Sequence, residues 1–313
     1  MTVRIILLAV TLTVILALYI WSSHNRRYKS SASVAAAYDA WTEDRLLEIL
    51  WGEHVHLGHY GNPPRRCDFR QAKEDFVHAL VHWSGLDKLP LGSRVLDVGC
   101  GIGGSARILA QAYGFNVIGV SISPAQIRRA TELTPANLHC CFQVMDALDL
   151  QFSDGVFDAV WSVEAGPHMP DKQLYADELQ RVLRRGGLLA IADWNRRDSA
   201  DGRLSWLERW VMRQLLDQWS HPEFASITGF SSNLEASRFN QSPIISEDWT
   251  QATLPSWIDA ILEGGRRPNA VLELGPRAVI QGLREIPTLL LMRWAFAHGL
   301  MQFGVFHSVH SRT

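Results

Sequence analysis

Asp97 stands two residues ahead of a glycine run in Val95-Leu96-Asp97-Val98-Gly99-Cys100-Gly101-Ile102-Gly103-Gly104, a pattern that places a carboxylate beside a flexible, ligand-sized bend. Val95, Leu96 and Val98 have the apolar, mostly β-branched character of a strand covered on both faces. The glycines permit tight turns, and residues 105–113 read as a helix. In open α/β sheets, ligands bind at that carboxyl end of a strand. Gly99, Gly101 and Gly104 also satisfy the G-x-G-x-x-G spacing of dinucleotide sites, but such a site calls for an acid at the end of the following strand to hold the ribose hydroxyls. Here the following strand, 116–120, runs into Ser121-Ile122-Ser123 with no acid. A carboxylate at 97 would repel a pyrophosphate and pair with an ammonium. The loop therefore favours S-adenosylmethionine over NAD, and a hydride-transferring NAD enzyme is the rival of a different class.

The elements that must position this loop follow from periodicity. Apolar residues recur at helical spacing over 35–50 and 69–83, and Trp51-Gly52-Glu53-His54-Val55-His56-Leu57-Gly58-His59-Tyr60-Gly61 lies between them as a polar and aromatic loop closed by Pro63 and Pro64. After the first two strands, 124–133 reads as a helix, while 138–144, 157–163 and 188–193 read as strands. That alternation predicts an α/β fold with a parallel, doubly wound sheet. Beyond Trp194 the alternation lapses. Residues 204–242 read as helical and tryptophan-rich, a natural cover for a substrate; 244–249 returns as a strand, 277–298 is a long apolar helix, and 301–309 is expected as a last edge strand. Arg284, Glu285, Pro287 and Arg293 in the long helix argue against its spanning a membrane, though not against its lying on one.

Three segments together carry a family. The glycine loop, Asp154-Gly155-Val156-Phe157-Asp158-Ala159-Val160-Trp161-Ser162-Val163-Glu164, and Arg181-Val182-Leu183-Arg184-Arg185-Gly186-Gly187-Leu188-Leu189 resemble the three sequence motifs of class I S-adenosylmethionine-dependent methyltransferases. Within that class the chain is similar to the tocopherol methyltransferases. That likeness rests on residues 51–61, on Val163-Glu164-Ala165-Gly166-Pro167-His168-Met169-Pro170-Asp171, on Ala192-Asp193-Trp194-Asn195 and on Met212-Arg213-Gln214-Leu215-Leu216-Asp217-Gln218-Trp219-Ser220-His221-Pro222, and it covers nearly the whole chain.

The resemblance implies a donor site. Asp97, Gly99, Gly101 and Gly103 would hold the methionine end, and Ser121, Ile122 and Gln126 the ribose. Most members carry Asp or Glu where Ser121 stands, so the ribose contact is weaker here or shared with Gln126. Asp146 would accept from the adenine amino group while Ala147 offers its backbone. Glu164 and His168 would face the reactive sulfonium, with Tyr38 near the amino-acid tail. The implied reaction is methylation of an aromatic carbon next to the ring methyl of a prenylated benzoquinol. A neutral quinol is a weak carbon nucleophile and its phenolate a good one, so a general base is useful; His168, His56 and His59 are the candidates. His54, His56 and His59 in one loop also suggest zinc, but no cysteine or carboxylate set completes a site, so no metal is expected and the loop reads as a lid. A tocopherol, amine or sterol acceptor is the alternative within the class.

Composition narrows the rest. The chain has 313 residues, 47% hydrophobic, with a net charge of -2, which supports a large core and provides no basic field for nucleic acid. Cys67, Cys100, Cys140 and Cys141 show no metal-ligand spacing and read as buried thiols. Residues 5–21 form an uncharged run between Arg4 and the basic Arg26, Arg27 and Lys29. This predicts a membrane anchor at the short end of the spanning range, with the catalytic part on the cytoplasmic side. The expected organisation is an anchor with its basic flank (1–29), a helical cap (30–91), a donor-binding core (92–197) and a substrate cover with the end of the sheet (198–313).

Overall fold

The computed structural model describes residues 27–198, 203–240 and 242–309, so the run 5–21 and the helix expected there lie outside the described residues. Two helices, α1 (Ser31–Glu43) and α2 (Leu46–Trp51), replace the single helix expected over 35–50. Arg45 between them adopts a left-handed backbone, φ 52°, and a helix cannot continue through it. Helix α3 (Phe69–Ser84) starts where the Asp68 carboxylate accepts from the backbone N–H groups of Arg70 and Gln71, and it stops at Gly85, φ 79°.

Next come β1 (Arg94–Val98), α4 (Gly104–Tyr113), β2 (Asn116–Ser121), α5 (Pro124–Leu133), β3 (Cys140–Val144), β4 (Phe157–Val163), α6 (Lys172–Arg181) and β5 (Leu183–Arg196). Strand β5 starts earlier and ends later than the expected 188–193, and its pairing with β4 shifts register between Phe157 and Ala159. The helical stretch expected over 204–242 is two helices, α7 (Trp206–Gln218) and α8 (Ile227–Ala236). Each has its own start signal: Ser205 and Glu208 form a reciprocal cap on α7, and Ser226 caps α8 by accepting from Gly229 N–H. Ser220 between them is left-handed, φ 57°. The chain closes with β6 (Ile245–Asp248), α9 (Thr250–Thr253), α10 (Ser256–Arg266), α11 (Pro268–Glu273), α12 (Gly275–Ala297) and β7 (Met301–Val309).

The sheet runs β3-β2-β1-β4-β5-β7-β6. The first five strands are parallel, as expected, but β7 is antiparallel to both β5 and β6, so the sheet is mixed. The strand expected at the edge, 301–309, is interior. Most of its side chains are buried, whereas every residue of β6 is exposed, so the apolar strand fills the gap and the short polar one takes the rim. Val95 packs on one face with Phe76, Trp161 and Phe303, and Leu96 and Val98 on the other with Val160, Tyr175 and Leu189. Covering both faces is what makes β1 read as a continuous apolar run. The expectation of four buried thiols holds only for Cys100. Cys67 and Cys140 are half-buried, and Cys141 on edge strand β3 is exposed. Among the described residues no helix is long and apolar enough to cross a membrane.

Candidate active site

A cavity of about 480 Å³ opens from the carboxyl ends of β1, β2 and β4 toward α10 and α12. Asp97 lies at its inner end, 2% exposed. Its Oδ2 has no hydrogen-bond partner among the described residues, and burial pushes the carboxyl up to about 7. Gly99, φ 79°, turns the chain here, and a Cβ on it would collide with Ala165 Cβ. Gly101 also lines the cavity. Gly103 does not, and a Cβ on it would come within 2.7 Å of Phe142, so its smallness serves packing. Ser121, Ile122, Gln126, Asp146 and Ala147 line the same end. The Ser121 hydroxyl donates to Gln126 Oε1 at 2.7 Å, which joins the two residues expected to share the ribose. Asp146 Oδ1 accepts from Leu148 N–H at 2.9 Å and is fixed as a turn carboxylate.

The loop 52–61 forms one wall of the cavity, and it is bonded along its length. Lys73 Nζ donates to His54 O at 2.6 Å, Leu57 N–H to Glu164 Oε1 at 2.7 Å, and Gly58 N–H to Ser256 Oγ at 2.6 Å. His59 N–H bonds Ala72 O and Tyr60 N–H bonds Ala252 O. Such anchoring ties the loop expected as a lid to α3, to Glu164 and to α10. His56 lines the cavity, but both its ring nitrogens are engaged, with His54 and with Leu57 O. The His59 ring lies against Trp249, centroids 5.1 Å apart, and is not part of the lining. Among the described residues no group of His, Cys, Asp and Glu is arranged to hold a metal.

Glu164, Tyr38 and His168 do meet the cavity. Glu164 follows β4 in a left-handed backbone, φ 55°, unusual for a side chain of this size and characteristic of functional positions. Burial raises its carboxyl to about 8, against the opposing donation from Leu57 N–H. The Tyr38 hydroxyl sits 2.7 Å from His168 Nε2. His168 in turn stacks on His221, centroids 4.2 Å apart. Burial, with Lys172 nearby, lowers His168 to about 3, and burial holds His221 well below its ordinary range, so both imidazoles are neutral. His54, Lys73, His221, Trp194, Trp219 and Trp257 also line the cavity; sequence reasoning weighed His54 only within the lid and zinc readings and Trp219 only as part of a substrate cover, and gave Lys73 and His221 no individual role. His221 had a signal in the run 212–222, but no spacing rule set it on His168. Lys73 is fully buried over the Phe69 ring at 4.3 Å, and burial brings its ammonium down to about 7.

Comparison with known proteins bears on this arrangement. A family model described as a methyltransferase domain matches residues 96–191, from β1 into β5. The 2-methyl-6-phytyl-1,4-hydroquinone methyltransferase of Synechocystis sp. is 57% identical over 303 residues, 97% of this chain and 95% of that protein. The chloroplastic tocopherol O-methyltransferase of Arabidopsis thaliana is 31% identical over 274 residues, 83% of this chain and 77% of that protein. Among solved structures, a cyclopropane synthase of Mycobacterium tuberculosis superposes with a TM-score of 0.74 at 15% identity, covering 90% of this chain and 98% of its own, a likeness of fold.

Proposed function

Because this chain belongs to the tocopherol methyltransferase family of class I S-adenosylmethionine-dependent enzymes, we propose that it methylates the ring of a prenylated benzoquinol, taking 2-methyl-6-phytyl-1,4-benzoquinol to the 2,3-dimethyl form in tocopherol biosynthesis. The observation that supports this most is one continuous cavity. Its inner end is polar and glycine-lined, and its outer end is built from Trp219, Trp257, Ile261, Ile286 and Leu289. A donor and an apolar-tailed acceptor fit end to end in such a space.

The residues present suit the donor. A buried acceptor without a partner at Asp97 matches an ammonium, and the open space at Gly101 leaves room for a ligand against the backbone. Ser121 with Gln126 would hold the ribose, and Asp146 with Ala147 the adenine. When bound, S-adenosylmethionine supplies an electrophilic methyl group on a sulfonium. Tyr38 and His168 then act on the quinol: the Tyr38 hydroxyl passes its proton to His168 Nε2 as it receives the quinol's. Burial keeps the imidazole neutral because an isolated imidazolium there lacks solvent. A phenolate forming alongside provides the missing counter-charge, so the proton moves only with substrate in place. The stacked His221 and the tryptophans exclude water from the reacting carbon.

An anchor formed by the amino-terminal run would give this substrate a route. Arg27, just after it, pairs with Asp217 of α7 at 3.4 Å, and Ser31, four residues on, lines the cavity. A 5–21 anchor would thus hold the cavity beside a lipid surface, where a phytyl quinol resides. Labelled methyl transfer to a panel of prenyl quinols, γ-tocopherol and a sterol tests the assignment. Transfer to the 2-methyl-6-prenyl quinol is expected to dominate, and dominant transfer to any other acceptor overturns it.

A further inference from the structure

The loop 52–61 contains a pair of imidazoles whose protons the geometry fixes. His56 Nδ1 lies 2.8 Å from Leu57 O, and a carbonyl oxygen only accepts, so Nδ1 carries the proton. His56 is buried against Phe76, where the neutral ring is favoured, and Nε2 is therefore a bare acceptor. His54 Nδ1 lies 3.0 Å from that Nε2 and must donate to it. His54 is itself buried and neutral, with its charged form disfavoured first by burial and then by His56, Lys73 and Arg107. Its remaining nitrogen, Nε2, consequently presents a lone pair and no hydrogen, and no hydrogen bond reaches it among the described residues.

This ring lies across the start of α4. A Cβ on Gly104 would come within 2.8 Å of His54 Cε1 and Nδ1, so His54 faces the same glycine bend as Asp97. Lys73 and Arg107, the cations close by, are committed to His54 O and to Glu53. That end of the cavity therefore holds two unpaired acceptors, Asp97 Oδ2 and His54 Nε2, with no protein donor assigned to either. Acceptors without donors suit a ligand group rich in N–H.

We propose that His54, locked by His56 as a hydrogen-bond acceptor, binds the α-ammonium of the methyl donor's amino-acid end, with His56 as its positioning residue. This rests on the donor assignment above and adds a residue to it. The lock also explains two histidines at alternate positions without a metal: the inner one sets the tautomer of the outer.

Calorimetric titration of the full-length protein tests it with two probes. S-adenosylhomocysteine carries the amino-acid end, and 5′-methylthioadenosine lacks it. Wild type is expected to bind both. His54→Ala should weaken S-adenosylhomocysteine about ten- to a hundredfold, the range of one hydrogen bond to a charged group, and leave methylthioadenosine within about twofold. His54→Gln, whose amide oxygen reaches to where Nε2 lies, should recover most of the loss. Nitrogen-15 spectra of the ligand-free wild type should show His54 protonated at Nδ1 and bare at Nε2. Failure of wild type to bind S-adenosylhomocysteine would overturn the donor assignment itself. With wild-type binding intact, an unaffected His54→Ala variant, equal losses for both probes, or a proton on Nε2 would overturn the role given to His54.

Discussion

At Asp97 burial and function pull in opposite directions. In the unfolded chain the carboxyl titrates near its ordinary value of about 3.9, and in the fold at about 7, so stability present below the first is lost as pH rises through the second. The Asp97→Asn variant should thus gain on wild type in thermal midpoint between about pH 4 and 7, by a few degrees, and no further above. Ligand binding runs the other way, because an ammonium needs the ionised carboxylate. Calorimetry of S-adenosylhomocysteine should show affinity falling about tenfold per unit below pH 7 and level above it, with a flat, weak profile for Asp97→Asn. At His168, Ala substitution should cut turnover about 10²- to 10⁴-fold while S-adenosylhomocysteine affinity stays within about twofold, since the imidazole serves the quinol. Asp97 was legible in the sequence because strand, acid and glycines are neighbours in the chain. The stack of His168 on His221 was not, since it joins residues 53 apart (221 − 168) that only the fold brings face to face.

Elements were legible where one signal dominated. The strands β1, β2 and β4 and the helices α3 and α5 carry unbroken patterns and caps, and they stand close to where periodicity puts them. The misreadings fall where periodicity continues past a backbone break: Arg45 splits the first helix, and left-handed Ser220, followed by Pro222, splits the later one. Composition marked 52–61 as a loop, because polar, aromatic and glycine residues favour loops. Its anchoring comes from Lys73 on α3, Glu164 just after β4 and Ser256 on α10, partners that no local pattern reveals. A Cβ at Gly58 would sit 2.7 Å from Ala72 Cβ, so Gly58→Ala should force the loop off α3. We expect a loss of about 1–3 kcal/mol in denaturant unfolding and weaker donor binding. Unchanged stability would mean that the wall yields.

At the scale of the molecule, the cavity's outer end is framed by exposed apolar side chains. Leu272, Ile280 and Leu283, on α11 and α12, are 76%, 68% and 60% exposed. Replacing Leu272 and Ile280 by Ser should leave the thermal midpoint and S-adenosylhomocysteine affinity unchanged, since neither lines the cavity. Methylation of a phytyl quinol embedded in liposomes should nevertheless fall about five- to thirtyfold, as about 1–2 kcal/mol of lost apolar contact implies. Equal activity on liposomal and detergent-dispersed quinol would remove the lipid surface from the account. Composition foretold the large core and gave no reason to expect nucleic acid, but not the order of the strands, because antiparallel insertion depends on which strand can be buried twice. That insertion reaches beyond the finished molecule. Strand β7 pairs with β5 along nine positions, from Leu188–Val309 to Arg196–Met301. A nascent chain that has not yet delivered residue 309 from the ribosome carries β5 as a raw, sticky margin. The donor pocket can take shape early in translation, while protection from aggregation waits for β7 to be made.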